Sequence, residues 1–448
     1  MARLVTLDWP TYSEPVRPIV TADHLHARLS RTREAMRASA LTHLAVYADR
    51  EHFANLAWLT HFDPRFEEAL LLVGAEGAPL LLTGNECMAY ARISPLLESG
   101  SLRVECFQPF SLPDQPRPNG RSLEEILRAE GVTGSSRIGC AGWKGYDDPA
   151  ALDVPAYLAD ALRQEAAVVN AAPLLAGLRA AATAEEIVYF EYTNWHASEA
   201  MRRMLFSLRE GLTDRDVIAA ARYDGLPLSC HMTCKTGPRR VSLASASGAE
   251  VRRGQPWSAN VAYWGANICR AGWVAETEAD LPEAARSYCV SFAGPYMDAV
   301  ADWLQALRIG VSGHELHTRL HGRLPFADFG VFLNAGHLIH FEEWLGSPVY
   351  AGSRERVASG MVFQTDIIPS HPVYFSSRME DAAAVASAKL REELADGYPA
   401  AWERMQARRA FAQESLGFSL APEVLPLSNT FGLVAPFVLN PRRVFALP

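Results

Sequence analysis

AGHLIHFEEWLGSPVY, residues 335–350, puts His337, His340, Glu342 and Glu343 within seven positions, beside Trp344 and between a glycine and a proline. Read as a strand, its side chains alternate: His337, Ile339, Phe341 and Glu343 face one way, Leu338, His340 and Glu342 the other. Two histidines on opposite faces bind one ion only if the chain turns between them. A metal site, a metal-free acid/base site and a polar strand edge all remain open on these residues alone. The choice rests on residues far away in the chain.

A chain of 448 residues with 49% apolar content buries a large core and suggests two or three domains. The formal charge of −9 gives no basic footprint, and nucleic acid is excluded as a partner. MARLVTLDWPTYSEP lacks the basic, apolar and small-residue sequence of a signal peptide, and no apolar run reaches about 18 residues. These features predict a cytoplasmic protein that does not enter a membrane. The seven cysteines are expected to be reduced thiols. Cys230 and Cys234 flank His231 in LSCHMTCK without further ligands downstream, which argues against zinc there.

The first third alternates helix and strand. ADHLHARLSRTREAMRAS (22–39) has helical spacing, HLAVYAD (43–49) is a short strand, and EEALLLVGAEGAPLLLTG holds two apolar runs around a glycine turn. RSLEEILRAEG, RIGCAGW and VPAYLADALRQ continue an α/β domain that ends near residue 175. Thr183 followed by Glu186 marks a capping box before a long helix to about Ser207, and Gly211 and Thr213 open a second helix. Strands follow from 251, helix from 282 to 308, and strands again from 331 to 386. Helices followed by paired strands, twice over, predict an α+β domain with internal pseudo-symmetry, although no repeat is evident in the sequence. The expected division is 1–175, 176–395 and a C-terminal helix with a Pro-rich tail over 396–448.

Several stretches now align with one superfamily. ANLAWLTHFDPRFEEALLLV resembles the N-terminal domain of creatinase and the Xaa-Pro peptidases (aminopeptidase P, prolidase), and LRAAATAEEI the segment that opens their catalytic domain. LREGLTDRDV, ALRIGVSGHEL, NAGHLIH, SGMVFQTDIIP and SRMEDAAAV follow in the family's order. The resemblance covers about residues 22–390. It implies an α/β creatinase-type N-terminal domain, an α+β pita-bread catalytic domain and a homodimer.

The metal-dependent peptidases of this superfamily hold two divalent ions with two Asp, one His and two Glu. Position by position, the resemblance puts the Asp ligands at Asn260 and Asn267, the His at His337, and the Glu ligands at Asp366 and Glu380. Two carboxylates are replaced by neutral amides and a third is shortened. Paired divalent ions need several anionic oxygens, so no dinuclear centre is expected and no cofactor is predicted. The alternative is one divalent ion (Mn, Zn or Co) on Asn267, His337, Asp366 and Glu380. Creatinase implies a metal-free route, but its catalytic His falls in TGPRRVSLASASG, which offers Arg239, Arg240, Ser242, Ser245 and Ser247 instead. A creatinase glutamate corresponds to Cys269, expected to be a buried thiol, so creatine is not the expected substrate.

The expected catalytic residues are therefore His337 as base, with Asp366 and Glu380 as a carboxyl pair that shares a proton. Asn260, Asn267, Arg270, His340, Glu342, Glu343 and His231 are candidate substrate contacts. Arg270 is read either as a carboxylate clamp or as paired with Glu380. Tyr263, Trp264, Trp273 and Trp344 supply core or pocket walls. The function this predicts is a creatinase-like hydrolase that cleaves a C–N bond in a small polar metabolite. Its alternatives are an Xaa-Pro peptidase using one metal ion, and a non-catalytic binding protein.

Overall fold

The computed structural model describes residues 1–116, 120–237 and 243–448, which form two compact units, 19–179 and 1–18 with 180–448. The expected boundary near 175 becomes 179, and the first eighteen residues belong with the second unit. The reason is backbone pairing: β1 (Arg3–Thr6) runs antiparallel to residues 443–446, with Arg3 opposite Ala446.

Unit 19–179 opens with the helix Ala22–Ala38, capped by Thr21, whose hydroxyl accepts the His24 N–H. Its sheet contains β2 (His43–Ala48), β3 (Ala69–Gly74), β4 (Leu80–Thr83), β5 (Arg103–Cys106), β6 (Arg137–Ala141) and β7 (Ala167–Asn170), in the order β5-β4-β3-β2-β6-β7. β3 and β4 are the antiparallel pair read from EEALLLVGAEGAPLLLTG, with Gly77 at φ +76° in the turn. Pairing is parallel for β2 with β6, β6 with β7 and β4 with β5. Leu70, Leu71, Leu72 and Val73 are all buried, which explains why this strand reads as an unbroken apolar run.

In the second unit the capping box of Thr183 and Glu186 starts the helix Ala184–Ser207. Here the internal repeat becomes visible. LREGLT (208–213) and LRIGVS (307–312) each end in a helix cap, Thr213 accepting the Asp216 N–H and Ser312 accepting the Glu315 N–H. Gly211 and Gly310 both take φ +87°. Their N–H groups donate to Val251 O at 2.9 Å and Val357 O at 2.8 Å, and the Val251 and Val357 N–H groups return to Leu212 O and Val311 O. A six-residue repeat at this spacing is too short to stand out until the matching hydrogen bonds are seen.

The strands are β8 (Thr233–Thr236), β9 (Pro256–Tyr263), β10 (Ala266–Trp273), β11 (His337–Leu338), β12 (Val362–Gln364), β13 (Arg378–Glu380), β14 (Ala382–Val385), β15 (Val424–Pro426) and β16 (Arg443–Ala446). They form two four-stranded sheets, β13-β10-β9-β8 and β11-β12-β14-β15, and β16 pairs with β1. The chain passes from one sheet to the other at buried Asp381, so Glu380 ends in the first sheet beside residues carried by the second. Gly265 turns β9 into β10 at φ +79°, and a Cβ there would collide with the Phe190 ring.

The tail over 396–448, expected to pack on the catalytic domain, is part of this unit. β15 extends the second sheet, and the helix Pro399–Glu414 sends Arg404 and Arg408 to Glu191 of helix Ala184–Ser207, with all three side chains buried. Among the described residues no helix is long and apolar enough to cross a membrane.

Candidate active site

His337 stands on the two-residue strand β11, where Gly336, at φ +94°, packs its α-carbon against the Trp303 ring. Its imidazole is fully buried and stacks on Trp344 at 4.1 Å between ring centres. Nδ1 donates to Leu338 O at 3.2 Å, which directs Nε2 toward three carboxylates. Glu343 Oε1 lies 3.4 Å away, and Asp366 Oδ2 and Glu380 Oε1 each lie 3.9 Å away. Nε2 has no hydrogen bond of good geometry, and Asp366 Oδ1 is likewise buried without a partner. A bare nitrogen lone pair facing three carboxylates is unfavourable, so a proton or a cation belongs there.

With no ion at the site, the carboxylates favour a proton there. Burial by itself would lower the His337 pKa, but the close approach of Glu343 and Glu380 and the charge of the nearby carboxylates raise it to about 10. His337, expected to act as a base, is therefore an imidazolium at neutral pH. Burial, reinforced by Glu380, pushes Asp366 up to about 8. Burial would also raise Glu343, but its contact with His337 outweighs this and holds it below the usual carboxylate range.

The two asparagines form a relay rather than a ligand pair. Asn260 Oδ1 accepts from the Thr233 N–H at 2.9 Å and from the Thr233 hydroxyl, and its Nδ2 donates to Asn267 Oδ1 at 3.4 Å. Asn267 Nδ2 then donates to Glu380 Oε1 at 2.9 Å and Glu343 Oε1 at 3.3 Å. The Asn267 N–H groups thus face both carboxylates. Asn267 presents nitrogen to the cluster, so the carbonyl ligand expected of it is not offered.

Other expected contacts lie elsewhere. Arg270 falls between Cys269 and Ala271 on β10, and strand alternation turns it to the opposite face from Asn267. There its guanidinium donates to Leu433 O, Cys269 O, Glu380 O, Thr430 O and, at 2.7 Å, Asp381 Oδ2. It neither faces substrate nor pairs with the Glu380 carboxylate. His340 is buried with Nε2 3.7 Å from Glu186 Oε1, its ring against Phe190 and Phe341. Glu342 is buried outside the cluster. Glu343 reaches the cluster not by strand alternation, because β11 stops at Leu338, but through the turn that follows.

His231 is exposed and donates from Nε2 to Leu243 O at 3.1 Å. Ser247 caps Asp214, donating from its N–H and hydroxyl. Arg239, Arg240 and Ser242 lie outside the described residues. Cys269 is buried, and burial together with Glu380 drives its thiol pKa well up, so it is not a thiolate.

The sequence reading missed Arg378. It is carried by β13 two residues before Glu380 and so on the same face, a signal that strand alternation in SRMED contains. Burial would lower its pKa, but the acidic groups around it outweigh this and keep it cationic. His337 and Arg378 thus bring positive charge to a cluster in which Glu343 is held ionised and Asp366 protonated.

No family model and no curated protein matches the chain. Solved structures do match. The prolidase from Pyrococcus horikoshii OT3 superposes with a TM-score of 0.62 at 16% identity, covering 80% of this chain and 95% of its own. The dipeptidase PepE from Mycobacterium ulcerans gives 0.60 at 18%, covering 81% and 94%. The Xaa-Pro dipeptidase from Bacillus anthracis gives 0.62 at 15%, covering 82% and 96%. This chain has the prolidase pita-bread fold. At such identity the likeness is one of fold.

On the prolidase fold the positions carried over in the sequence, 260, 267, 337, 366 and 380, do converge, but their donors do not suit two ions. Asn260 Oδ1 is taken by Thr233 and Asn267 brings no charge. One ion fits a different set. His337, Glu343, Asp366 and Glu380 each offer one ligand atom within 4.8 Å of the others, a mixed N and O donor set suited to Mn, Zn or Co.

Proposed function

We propose that the protein hydrolyses a C–N bond, an amide, amidine or cyclic amide, in a small polar metabolite, without a dinuclear metal centre. The observation that carries this reading is the cluster around His337 Nε2, where the imidazole and the Asn267 amide nitrogen both face the carboxylates of Glu343 and Glu380. Glu343, whose side chain is 30% exposed, is the member open to solvent and is the carboxylate that takes a proton from the attacking water. His337 Nε2–H supplies the proton to the leaving nitrogen as the C–N bond breaks, and the protonated Asp366 donates to the atom that takes the displaced electron pair, the oxygen of an amide or the imino nitrogen of an amidine. The small-molecule substrate and a homodimeric assembly are parts of the same proposal.

The test is a screen of small amides, amidines and cyclic amides with chelator-treated protein. Turnover without added metal is expected, reduced about 10²–10⁴-fold in His337→Ala. Cleavage of Xaa-Pro dipeptides only after manganese is added would overturn it.

A second reading is favoured by the four convergent donors: an Xaa-Pro-type peptidase with one divalent ion held by His337, Glu343, Asp366 and Glu380. When bound, that ion would polarise water or a substrate carbonyl. Failure of both assays, with ligand binding retained, would leave the protein as a binding member of the fold.

A further inference from the structure

Lys235, Ser258, Ala271 and Arg378 stand in one row across β8, β9, β10 and β13. The row lies two residues along each strand from Thr233, Asn260, Cys269 and Glu380, so both rows face the same side of the sheet. The first row borders a cavity of about 180 Å³, also lined by Pro369, Phe375 and Ser376 among others. Among the described residues no acidic side chain lines it.

Both cations at this cavity lack a counter-charge in contact. Lys235 is half-buried, and among the described residues neither it nor Arg378 has a carboxylate within ion-pair distance. Arg378 Nε is buried without a hydrogen-bond partner. Asp366 and Glu380 act on Arg378 only at longer range. Arg378 is half-buried and its Nε has no hydrogen-bond partner, and an oxyanion in the cavity would satisfy it and Lys235 through charge-assisted hydrogen bonds. Apolar walls from Phe375 and Pro369 lower the local dielectric and strengthen the attraction.

We propose that this cavity binds an oxyanion of the substrate, a carboxylate or a phosphate, between Lys235 and Arg378, and thereby presents the adjoining C–N bond to the His337 cluster. The substrate class is then a small C–N compound bearing an anionic group. This rests on the hydrolase reading for its catalytic half, whereas the anion site itself is tested without turnover.

Wild-type protein is titrated calorimetrically with succinate and, separately, with inorganic phosphate, at ionic strength held constant with sodium chloride. One of the two anions is expected to bind saturably and so to identify the group. Lys235→Gln should weaken that binding about ten-fold or more, Lys235→Arg should largely keep it, and the exposed control Lys389→Gln should leave it unchanged. Circular dichroism verifies that the variants are folded. Absence of saturable binding for both anions, or equal binding by wild type and Lys235→Gln, would overturn the proposal. Binding without turnover of any C–N compound would instead remove the hydrolase reading and keep the anion site.

Discussion

At the scale of single residues, Asp366 and the asparagine pair carry the sharpest consequences. Asp366 is faced by Glu380, Arg378, His337 and Glu343, with Cys269 behind them, and its carboxyl stays protonated up to about pH 8. The folded protein thus holds a proton that the unfolded chain releases near its ordinary value of 3.8, so Asp366 costs stability as pH rises between those limits. His337, raised to about 10, contributes in the same direction at higher pH. In metal-free protein, melting of the wild type should therefore worsen between pH 5 and 8 relative to Asp366→Asn, and parallel curves would contradict the assignment. The asparagines make a separate point. Asn260→Asp with Asn267→Asp restores two carboxylates and should raise manganese stoichiometry from at most one ion per chain to two, counted by equilibrium dialysis. Both asparagines were legible in the sequence because charge is a property of the residue type. The roles of Glu343 and Arg378 were not, because they arise from distances of a few ångströms.

Elements decide which side chains meet. Strand parity sends Cys269 and Asn267 to the cluster and Arg270 to the Asp381 clasp, so a candidate clamp in the sequence became a structural tie between β10, β14 and the tail. The early end of β11 has the opposite effect, freeing Glu343 to turn back to His337. The β9–β10 hairpin depends on Gly265, whose positive φ and contact with Phe190 leave no room for a side chain. Gly265→Ala should destabilise the protein by about 2 kcal/mol or more, read as a lower denaturation midpoint, since strain and overpacking add. Unchanged stability would mean that the turn and Phe190 relax freely.

For the whole molecule, the two ends of the chain and the tail close one unit. Glu191 accepts from Arg404 at 2.9 and 2.7 Å and lies 2.6 Å from Arg408 Nη2, while Arg408 Nε donates to Asn429. Glu191→Ala leaves two buried cations without their anion and should cost about 3–5 kcal/mol. Glu105→Ala, which breaks an exposed pair with Arg121, should cost about 1 kcal/mol or less. Urea denaturation of the two variants side by side checks the contrast, and similar losses would show that the buried network does not secure the tail.

The order of weak motifs, the periodicity of helices and strands and the loss of two ligand carboxylates were determined by the sequence alone, since each is carried by residue type and spacing along the chain. Which groups share the site, that His337 holds a proton and that two cations border one cavity were decided only by tertiary structure. Electrostatic interaction depends on separation and burial in space, and neither can be counted along a chain.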